Sequence, residues 1–287
     1  MTEIVEPRET QIQGLPVRRV LPSRKRRSVG PFVFLDEMGP VEFEPGEGIG
    51  VPPHPHIGLS TLTYLFDGTI VHRDSLGVLQ PIRPGAVNWM TAGHGVTHSE
   101  RADEEERARR SGLHGVQAWV ALPPEAEDVD PSFEHRRADE LPVAAVDGVS
   151  CVVLAGEAFG ERSPVRTFSP LFYVDARWSS EGGLVLAAEL GERALYPIDG
   201  EVEVGGELHA PGRLVVLDDG RDVGVRGEAG ARALLLGGAP RGAPLHMHWN
   251  YVASTPERID AAKRRWADRG FPPVVGDEGA YAVDPRG

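Results

Sequence analysis

Short apolar runs that alternate with polar residues dominate the chain, and turn residues separate them at close intervals. The run LSTLTYLF at 59–66 leads into an Asp-Gly pair at 67–68, which is a strong hairpin signal. Similar runs lie at 115–122, 149–155, 171–178, 184–189, 201–205, 213–217 and 231–236. Many short strands joined by turns predict an all-β protein of the sandwich or barrel type.

Only the end of the chain has a clear helical period. Residues 254–270 carry apolar side chains at intervals of three and four, so one face of this helix is expected to dock on a sheet. Thr255 can cap the helix, Pro256 suits its first position, and Gly270 is expected to end it. The charged run at 104–112 is expected to be a solvated loop with at most a short helical turn.

A faint internal repeat divides the chain into two parts. The segment TYLFDGTI at 63–70 resembles LYPIDGEV at 195–202, and a Pro-Gly turn follows each copy. Two tandem β-domains are the economical interpretation. We place the first domain at 1–125 and the second, which includes the terminal helix, at 126–287.

Charge and composition exclude several classes of function. The formal charge of −13 argues against a direct nucleic-acid partner, because phosphate binding needs clustered Lys and Arg. The N-terminus lacks the apolar segment of a signal peptide, and no apolar run approaches the ~20 residues of a membrane span. The single cysteine, Cys151, excludes an internal disulfide framework and reads as a buried small residue. A cytoplasmic protein without a membrane partner is expected.

Two pairs of polar residues are the candidate functional residues, and the members of each pair are two positions apart. His54 and His56 form the first pair, and His98 and Glu100 form the second. Residues i and i+2 of a strand point to the same face, so neighbouring strands would bring all four side chains together inside a barrel. Three imidazoles and one carboxylate suit Fe(II), Mn(II), Co(II), Ni(II) or Zn(II).

The repeat tests this assignment, because a second copy of the site would carry the same ligands. Aligning the Asp-Gly turns and the Pro-Gly turns of the two copies finds no ligand at any of the four positions. In the order of the four ligands, the matching residues are Leu186, Ala188, Val225 and Gly227. The sequence therefore predicts one metal per chain, held by the first domain, and a second domain that serves as scaffold.

The remaining histidines carry weaker signals. His94 could border the mouth of the pocket or face solvent, and His114 could support a ligand from behind or be a satisfied core residue. His72 is interpreted as a hairpin residue. His135 and His209 are expected to be exposed, and His246 and His248 are assigned to packing or to the surface.

Several longer motifs resemble the pirin family. They are RSVGPFVFLDEMGP, PPHPHIGLSTLTYLFDGTIVHRDSLG, IRPGAVNWMTAGHGVTHSE, LHGVQAWVALP and WNYVASTPERIDAAKRRWADRGFP, and the resemblance runs from about residue 18 to the C-terminus. It implies a bicupin, with two antiparallel β-barrels of which the N-terminal one holds a single iron. The family's iron ligands fall on His54, His56, His98 and Glu100. The chain departs from the family pattern at Ile57 and His94, where arginine is frequent.

The resemblance leaves two classes of function open, an enzyme and a regulatory binding protein. Some pirins resemble quercetin 2,3-dioxygenases, in which a small aromatic flavonol reacts with dioxygen and Glu100 would act as the base. Others resemble iron-dependent proteins that bind and modulate a transcription factor or a metabolic enzyme, and the acidic loop at 101–106 is a candidate surface for such a partner. Four apolar residues could line a substrate pocket or belong to the core: Ile57, Leu59, Trp89 and Met90.

Overall fold

The structure is a computed structural model that describes residues 2–12, 14–217 and 220–285. The chain divides into two compact units. The unit that we name the first barrel consists of residues 9–17, 36–135 and 242–287. The unit that we name the second barrel consists of residues 1–8, 18–35 and 136–241.

Strands account for most of the regular structure. Up to residue 121 they are β1 (Glu3–Val5), β2 (Arg8–Ile12), β3 (Leu15–Leu21), β4 (Phe32–Phe43), β5 (Gly50–His56), β6 (Leu59–Asp67), β7 (Ile70–Asp74), β8 (Leu79–Ile82), β9 (Val87–Thr91), β10 (Val96–Ala102) and β11 (Ser111–Ala121). Beyond it they are β12 (Ser132–Arg136), β13 (Val143–Val146), β14 (Val149–Ala158), β15 (Glu161–Arg162), β16 (Leu171–Trp178), β17 (Gly182–Leu186), β18 (Glu192–Asp199), β19 (Val202–Val204), β20 (Glu207–His209), β21 (Leu214–Val216), β22 (Val223–Gly227), β23 (Arg232–Gly238), β24 (His246–His248) and β25 (Tyr251–Ala253).

Helices are few, as the sequence predicted. The charged run near residue 104 forms only α1 (Glu104–Arg107), whose first turn is capped by the Asp103 side chain. The terminal helix is α2 (Pro256–Ala267), with Thr255 at its N-cap position. No helix in the described part of the chain is both long enough and apolar enough to cross a bilayer.

The first barrel combines a large sheet with a small one. The large sheet has the strand order β12-β9-β6-β11-β4-β3-β2, and the small sheet has the order β5-β10-β7-β8. The paired strands around the candidate site run antiparallel. One apolar cluster of this barrel is built from Leu15, Met38, Leu65, Ile82 and Leu113. An all-β bicupin was predicted, and this architecture confirms it.

The terminal helix packs as its apolar period predicts. Ile259 and Ala262 are buried against Ile57 and Tyr251, and Tyr251 lies in the short hairpin β24–β25. The helix ends before the predicted Gly270, because Arg269 adopts a left-handed backbone with φ 58°. These contacts place the helix in the first barrel.

The compact units therefore differ from the domain boundary predicted after residue 125. That boundary assigned the terminal helix to the second domain, whereas residues 242–287 belong to the first barrel. The N-terminal residues 1–8 and 18–35 belong to the second barrel, where β1 pairs with β21. Each unit thus takes a terminal segment from the opposite end of the chain, and linear sequence order could not show this.

The second barrel repeats the plan of the first with an apolar interior. Its large sheet has the order β1-β21-β18-β23-β16-β14-β13, with β15 added on β14, and its small sheet has the order β17-β22-β19-β20. The side chains at its centre are buried and apolar, and they include Trp178, Leu184, Leu186, Val225 and Leu235. Cys151 belongs to this core, as predicted, and burial raises the pKa of its thiol to about 12.

Candidate metal centre

Two neighbouring strands of the first barrel carry the predicted ligands. Strands β5 and β10 pair antiparallel, with His54 directly opposite His98. β5 is the edge strand of the small sheet, and such a strand tolerates the prolines that surround its histidines. A register shift follows, so that Glu100 lies opposite Val51. The alternation of side chains thus places the histidines on one face of the small sheet.

The three histidines form a tight buried cluster. Their nearest ligand nitrogens all lie within 4.8 Å of one another. The His54 and His98 rings are 4.3 Å apart between centroids, and His56 lies 5.0 Å from each of them. None of the three is more than 8% exposed. Among the described residues, this cluster alone brings together three or more potential metal ligands.

Hydrogen bonds fix which nitrogen of each imidazole faces the cluster. The Nδ1 of His54 lies 2.8 Å from the carbonyl oxygen of Pro52, and the Nδ1 of His56 lies 3.1 Å from that of Asn250. A carbonyl oxygen only accepts, so each Nδ1 carries the proton and donates it. The Nε2 atoms of both residues therefore present lone pairs to the centre of the cluster, as metal ligands must.

Burial keeps these imidazoles neutral. It lowers the pKa of His54 to about 4, with a smaller raising effect from its hydrogen bond to Pro52. Burial and the neighbouring histidines also hold the pKa values of His56 and His98 well below the ordinary range. Neutral imidazole is the form that binds metal, so the cluster is ready for a cation without first losing protons.

The chemistry of the donor set fits a divalent transition metal. The Nε2 atoms of His56 and His98 are only 3.0 Å apart. Two lone pairs at that distance repel unless a proton or a cation lies between them. Imidazole nitrogens suit Fe, Ni, Cu and Zn, whereas Ca²⁺ and Mg²⁺ prefer oxygen ligands.

Glu100 lies near the cluster, but its carboxylate has a different partner in this structure. The side chain is 5% exposed, and its Oε1 accepts a hydrogen bond of 2.9 Å from the amide of Gln117. Burial raises the pKa of Glu100, while the nearby His72 and hydrogen bonds from Gln117 and Thr63 act in the opposite direction. The structure therefore brings three of the four predicted ligands into one cluster, and Glu100 as the fourth remains a prediction.

The other histidines are placed more specifically than the sequence allowed. His94 is exposed at the surface, and its Nε2 is 3.4 Å from Asp130. His114 is a satisfied residue, since its Nε2 lies 2.8 Å from the buried carboxylate of Glu37. The predicted exposure of His135 and His209 was wrong. His135 is half-buried against Asn88, and His209 is buried in β20 of the second barrel. His248 follows its prediction of packing, with Asp284 at 2.7 Å from its Nε2.

His72 was also interpreted too simply. The residue is 4% exposed and contacts both Asp74 and His98, so it belongs to the interior of the site rather than to the hairpin surface. The motif VHRD has the same spacing of two as the ligand pairs, and this signal could have identified His72 and Asp74 from the sequence. Gln117 gave a weaker signal, because one amide in an apolar strand is common.

The apolar residues suggested as pocket lining are all buried. Leu59, Trp89 and Met90 are at most 1% exposed, and Trp89 donates a hydrogen bond to Thr91. Ile57 borders a cleft of about 260 Å³ that is also lined by His94 and by side chains of α2. This volume is below the ~300–1,000 Å³ of most small-molecule sites.

Comparisons with known proteins agree with the motifs. The Pirin family model matches residues 14–120, and the model of the Pirin C-terminal cupin domain matches residues 173–272. A Pirin-like protein of Caulobacter vibrioides is 47% identical over 92% of each chain. Human Pirin is 32% identical over 87% of this chain and 85% of its own. The crystal structure of quercetin 2,3-dioxygenase from Acinetobacter baumannii superimposes with a TM-score of 0.92 at 38% identity, covering 99% of this chain and 95% of that one. The chain belongs to the pirin family.

Proposed function

We propose that the protein is a metal-dependent oxygenase of the quercetin 2,3-dioxygenase type that acts on flavonols or related small aromatic compounds. The observation that carries the proposal is the buried cluster of three imidazoles in the first barrel, two of which present a lone pair to its centre. Support comes from the likeness in fold and sequence to the Acinetobacter baumannii quercetin 2,3-dioxygenase. The metal that we propose is iron, held by His54, His56, His98 and Glu100. When bound, iron would supply a Lewis acid and a redox centre for reaction with dioxygen.

In this proposal Glu100 accepts the proton of the substrate hydroxyl. Burial raises its pKa, so its carboxylate is a stronger base than one in water. The Gln117 amide donates to Oε1 and thereby fixes the orientation of the carboxylate. Proton transfer from a flavonol hydroxyl to Glu100 would leave a substrate anion, which a cationic site stabilises.

The buried surroundings of the cluster suit such chemistry. Trp119 packs edge-on against His56 with ring centroids 5.1 Å apart, and Phe133 covers His72. Apolar walls exclude water and strengthen the electrostatic interactions inside. We propose modest turnover with quercetin, because the chain departs from the family pattern at Ile57 and His94 and a small misplacement of substrate lowers the rate strongly.

The test is consumption of quercetin by iron-loaded protein with and without dioxygen. Loss of quercetin in air, with matching uptake of dioxygen and no loss under nitrogen, is the expected result. Glu100→Gln is expected to lower turnover at least tenfold while it retains more than half of the iron, because the amide keeps an oxygen but is not a base. The matched control is Glu134→Gln in β12, which is expected to leave both values unchanged.

A negative result would redirect the proposal to the other class. If iron-loaded protein consumes no flavonol in air and instead binds a protein partner only when metal is present, the chain is an iron-dependent binding protein. The same cluster would then respond to the loading or oxidation state of the metal.

A further inference from the structure

A chain of hydrogen-bonding groups runs outward from the candidate metal centre. The Nδ1 of His98 lies 3.3 Å from the Nδ1 of His72, and the Nε2 of His72 lies 3.0 Å from the Oδ2 of Asp74. All three residues are at most 4% exposed. The carboxylate of Asp74 also accepts hydrogen bonds through Oδ1 from the backbone N–H groups of Leu76, at 2.9 Å, and Val78, at 3.0 Å.

The direction of the protons along this chain follows from its outer end. A buried carboxylate that already accepts two amide protons can only accept again, so the Nε2 of His72 must donate to it. In neutral His72 the Nδ1 is then an acceptor. The Nδ1 of His98 can donate to that acceptor, and a neutral His98 that does so has its lone pair on Nε2, the atom that faces His56.

We propose that Asp74 and His72 are positioning residues that fix the metal-binding tautomer of His98. Metal-bound histidines usually donate their second N–H directly to a carboxylate or a carbonyl group. His54 and His56 follow that pattern, with the carbonyl groups of Pro52 and Asn250. His98 reaches its carboxylate through a second imidazole.

We name Asp74, His72 and His98 together the relay. The surroundings of His72 hold the relay in place. Its ring stacks on Phe133 with centroids 4.5 Å apart and an interplanar angle of 25°. On the small sheet, Asp74 lies opposite His98 and His72 lies opposite Glu100, so the strand register presents both relay residues to the ligand strand. The equivalent positions of the second barrel are Val204, opposite Val225, and Val202, opposite Gly227. The relay is therefore absent from the barrel in which the ligand positions are apolar.

Asp74→Asn is an informative substitution because it reverses the direction of hydrogen-bond donation from His98 through His72, while the side chain keeps its shape. The Asn oxygen is held by the N–H groups of Leu76 and Val78, so its NH₂ group faces His72. His72 then accepts at Nε2 and donates from Nδ1, which drives the proton of His98 onto Nε2. That atom is no longer free to bind metal.

The experiment measures Zn²⁺ affinity by competition with a chelator at a fixed pH. Asp74→Asn is expected to weaken binding by about 10–100-fold, which is typical for groups that orient metal ligands. His72→Phe keeps the stacking on Phe133 and removes the relay. In the His72→Phe background, Asp74→Asn is expected to have no further effect. Glu37→Gln, which alters the half-buried His–carboxylate pair at His114, is the control and is expected to change affinity less than twofold.

Three results would overturn the inference. They are wild-type affinity in Asp74→Asn, an equal loss from Asp74→Asn in both backgrounds, and an equal loss in Glu37→Gln. If Asp74→Asn does not fold, ¹⁵N-resolved NMR of the Zn²⁺-loaded wild type decides. Protons are expected on Nδ1 of His98 and Nε2 of His72, and a proton on Nδ1 of His72 would contradict the relay.

The inference rests on the proposed metal centre, and different results would refute the two. Wild-type protein that binds no Zn²⁺ would refute the centre, whereas binding that is indifferent to Asp74 would refute the relay alone.

Discussion

The small sheets of the two barrels have the same strand plan and opposite interiors. His54 lies opposite His98 in the first barrel, and Leu184 lies opposite Val225 at the corresponding place in the second. His98 in turn lies opposite Asp74, and its counterpart Val225 lies opposite Val204. Backbone pairing is therefore the same at these positions, although the side-chain chemistry differs.

The large sheets repeat the contrast. In the first barrel, Thr63 lies between Asn88 on one neighbouring strand and Gln117 on the other. In the second barrel, the residues that correspond to Thr63, Asn88 and Gln117 are Leu195, Val215 and Leu235. All three belong to its apolar core. The strand pairs β6–β11 and β18–β23 even shift register at the same place, next to Asp67 and next to Asp199.

This comparison shows what a polar barrel interior requires. A buried polar group destabilises a protein unless it is hydrogen-bonded, so each polar residue of the first barrel needs a partner within the barrel. The second barrel avoids that requirement by packing apolar side chains. At the place of Glu100 it has Gly227, where a Cβ atom would come within 2.9 Å of the Trp178 ring. An indole thus fills the volume that the polar network takes up in the first barrel.

The largest effect, on metal content, is expected from removing a predicted ligand in the first barrel, whose interior is polar. His98→Ala should lose most of the bound metal, because it removes one of three converging nitrogens and the end of the relay. Val225→Ala, at the matched position of the apolar barrel, should keep full metal content and lose about 1–3 kcal/mol of unfolding free energy. Elemental analysis and urea denaturation give the two values. Full metal occupancy in His98→Ala would contradict the ligand assignment.

The reverse substitution introduces a histidine into the second barrel, where its partners would be apolar. Leu186→His is expected to destabilise the second barrel by about 2–5 kcal/mol, because it replaces a core leucine by an imidazole among apolar neighbours. It should not raise the metal content. The measurement is the urea midpoint together with metal analysis, and an extra equivalent of metal would show that the second barrel needs little more than one ligand.

In the metal-free protein, acid is expected to destabilise the first barrel at a higher pH than the second. The native pKa of His54 is about 4 against 6.5 when unfolded, so the unfolded chain binds protons first as pH falls. Stability should therefore decrease between about pH 7 and pH 4, by about 3 kcal/mol from this residue. In the second barrel, burial would raise the pKa of Asp175, but Arg232 and Arg177 outweigh it and lower that pKa. The stability from Asp175 is lost only below about pH 4.

Hydrogen exchange corrected for intrinsic rates can follow each barrel through this range. Strands β5 and β10 should lose protection before β16 and β23 do. His54→Gln, which cannot be protonated at this position, should show a shallower dependence of unfolding free energy on pH. Equal protection in both barrels down to pH 4 would count against the low pKa of His54.

The smallest effect is expected at His94. Its side chain is 45% exposed and lies near Asp130, in a cleft bordered by Ile57. His94→Ala should leave metal content and unfolding free energy unchanged and alter only the KM for substrate. Loss of metal in this variant would place His94 among the ligands.

The sequence predicted the fold and the convergence of His54, His56 and His98 because both depend on local patterns. A period of two and regular turns define strands, and the same period brings His54 and His56 to one face. The repeat also predicted residues without ligand atoms at the matching positions, and the strand pairing places Leu184, Leu186, Val225 and Gly227 there. Its alignment was shifted, however, since His54 and His56 correspond to Leu184 and Leu186 rather than to Leu186 and Ala188. The connection that follows β17 is longer than the one that follows β5, and an alignment on the turns misses this.

Long-range partners were the part that the sequence could not supply. Asn250, which orients His56, is 194 residues away in the chain, and Gln117 reaches Glu100 from the other sheet. The exchange of terminal segments between the two barrels is equally invisible without the fold. Such contacts depend on which strands face each other, and neither periodicity nor spacing contains that information.

Titration of metal-free protein with Zn²⁺ tests the central claim most directly, namely that only the polar barrel holds metal. One tight site per chain is expected in the wild type, and His54→Ala combined with His98→Ala should abolish it. The matched pair Leu184→Ala and Val225→Ala should retain it. Two sites per chain, or one site that survives in the double histidine variant, would contradict the account.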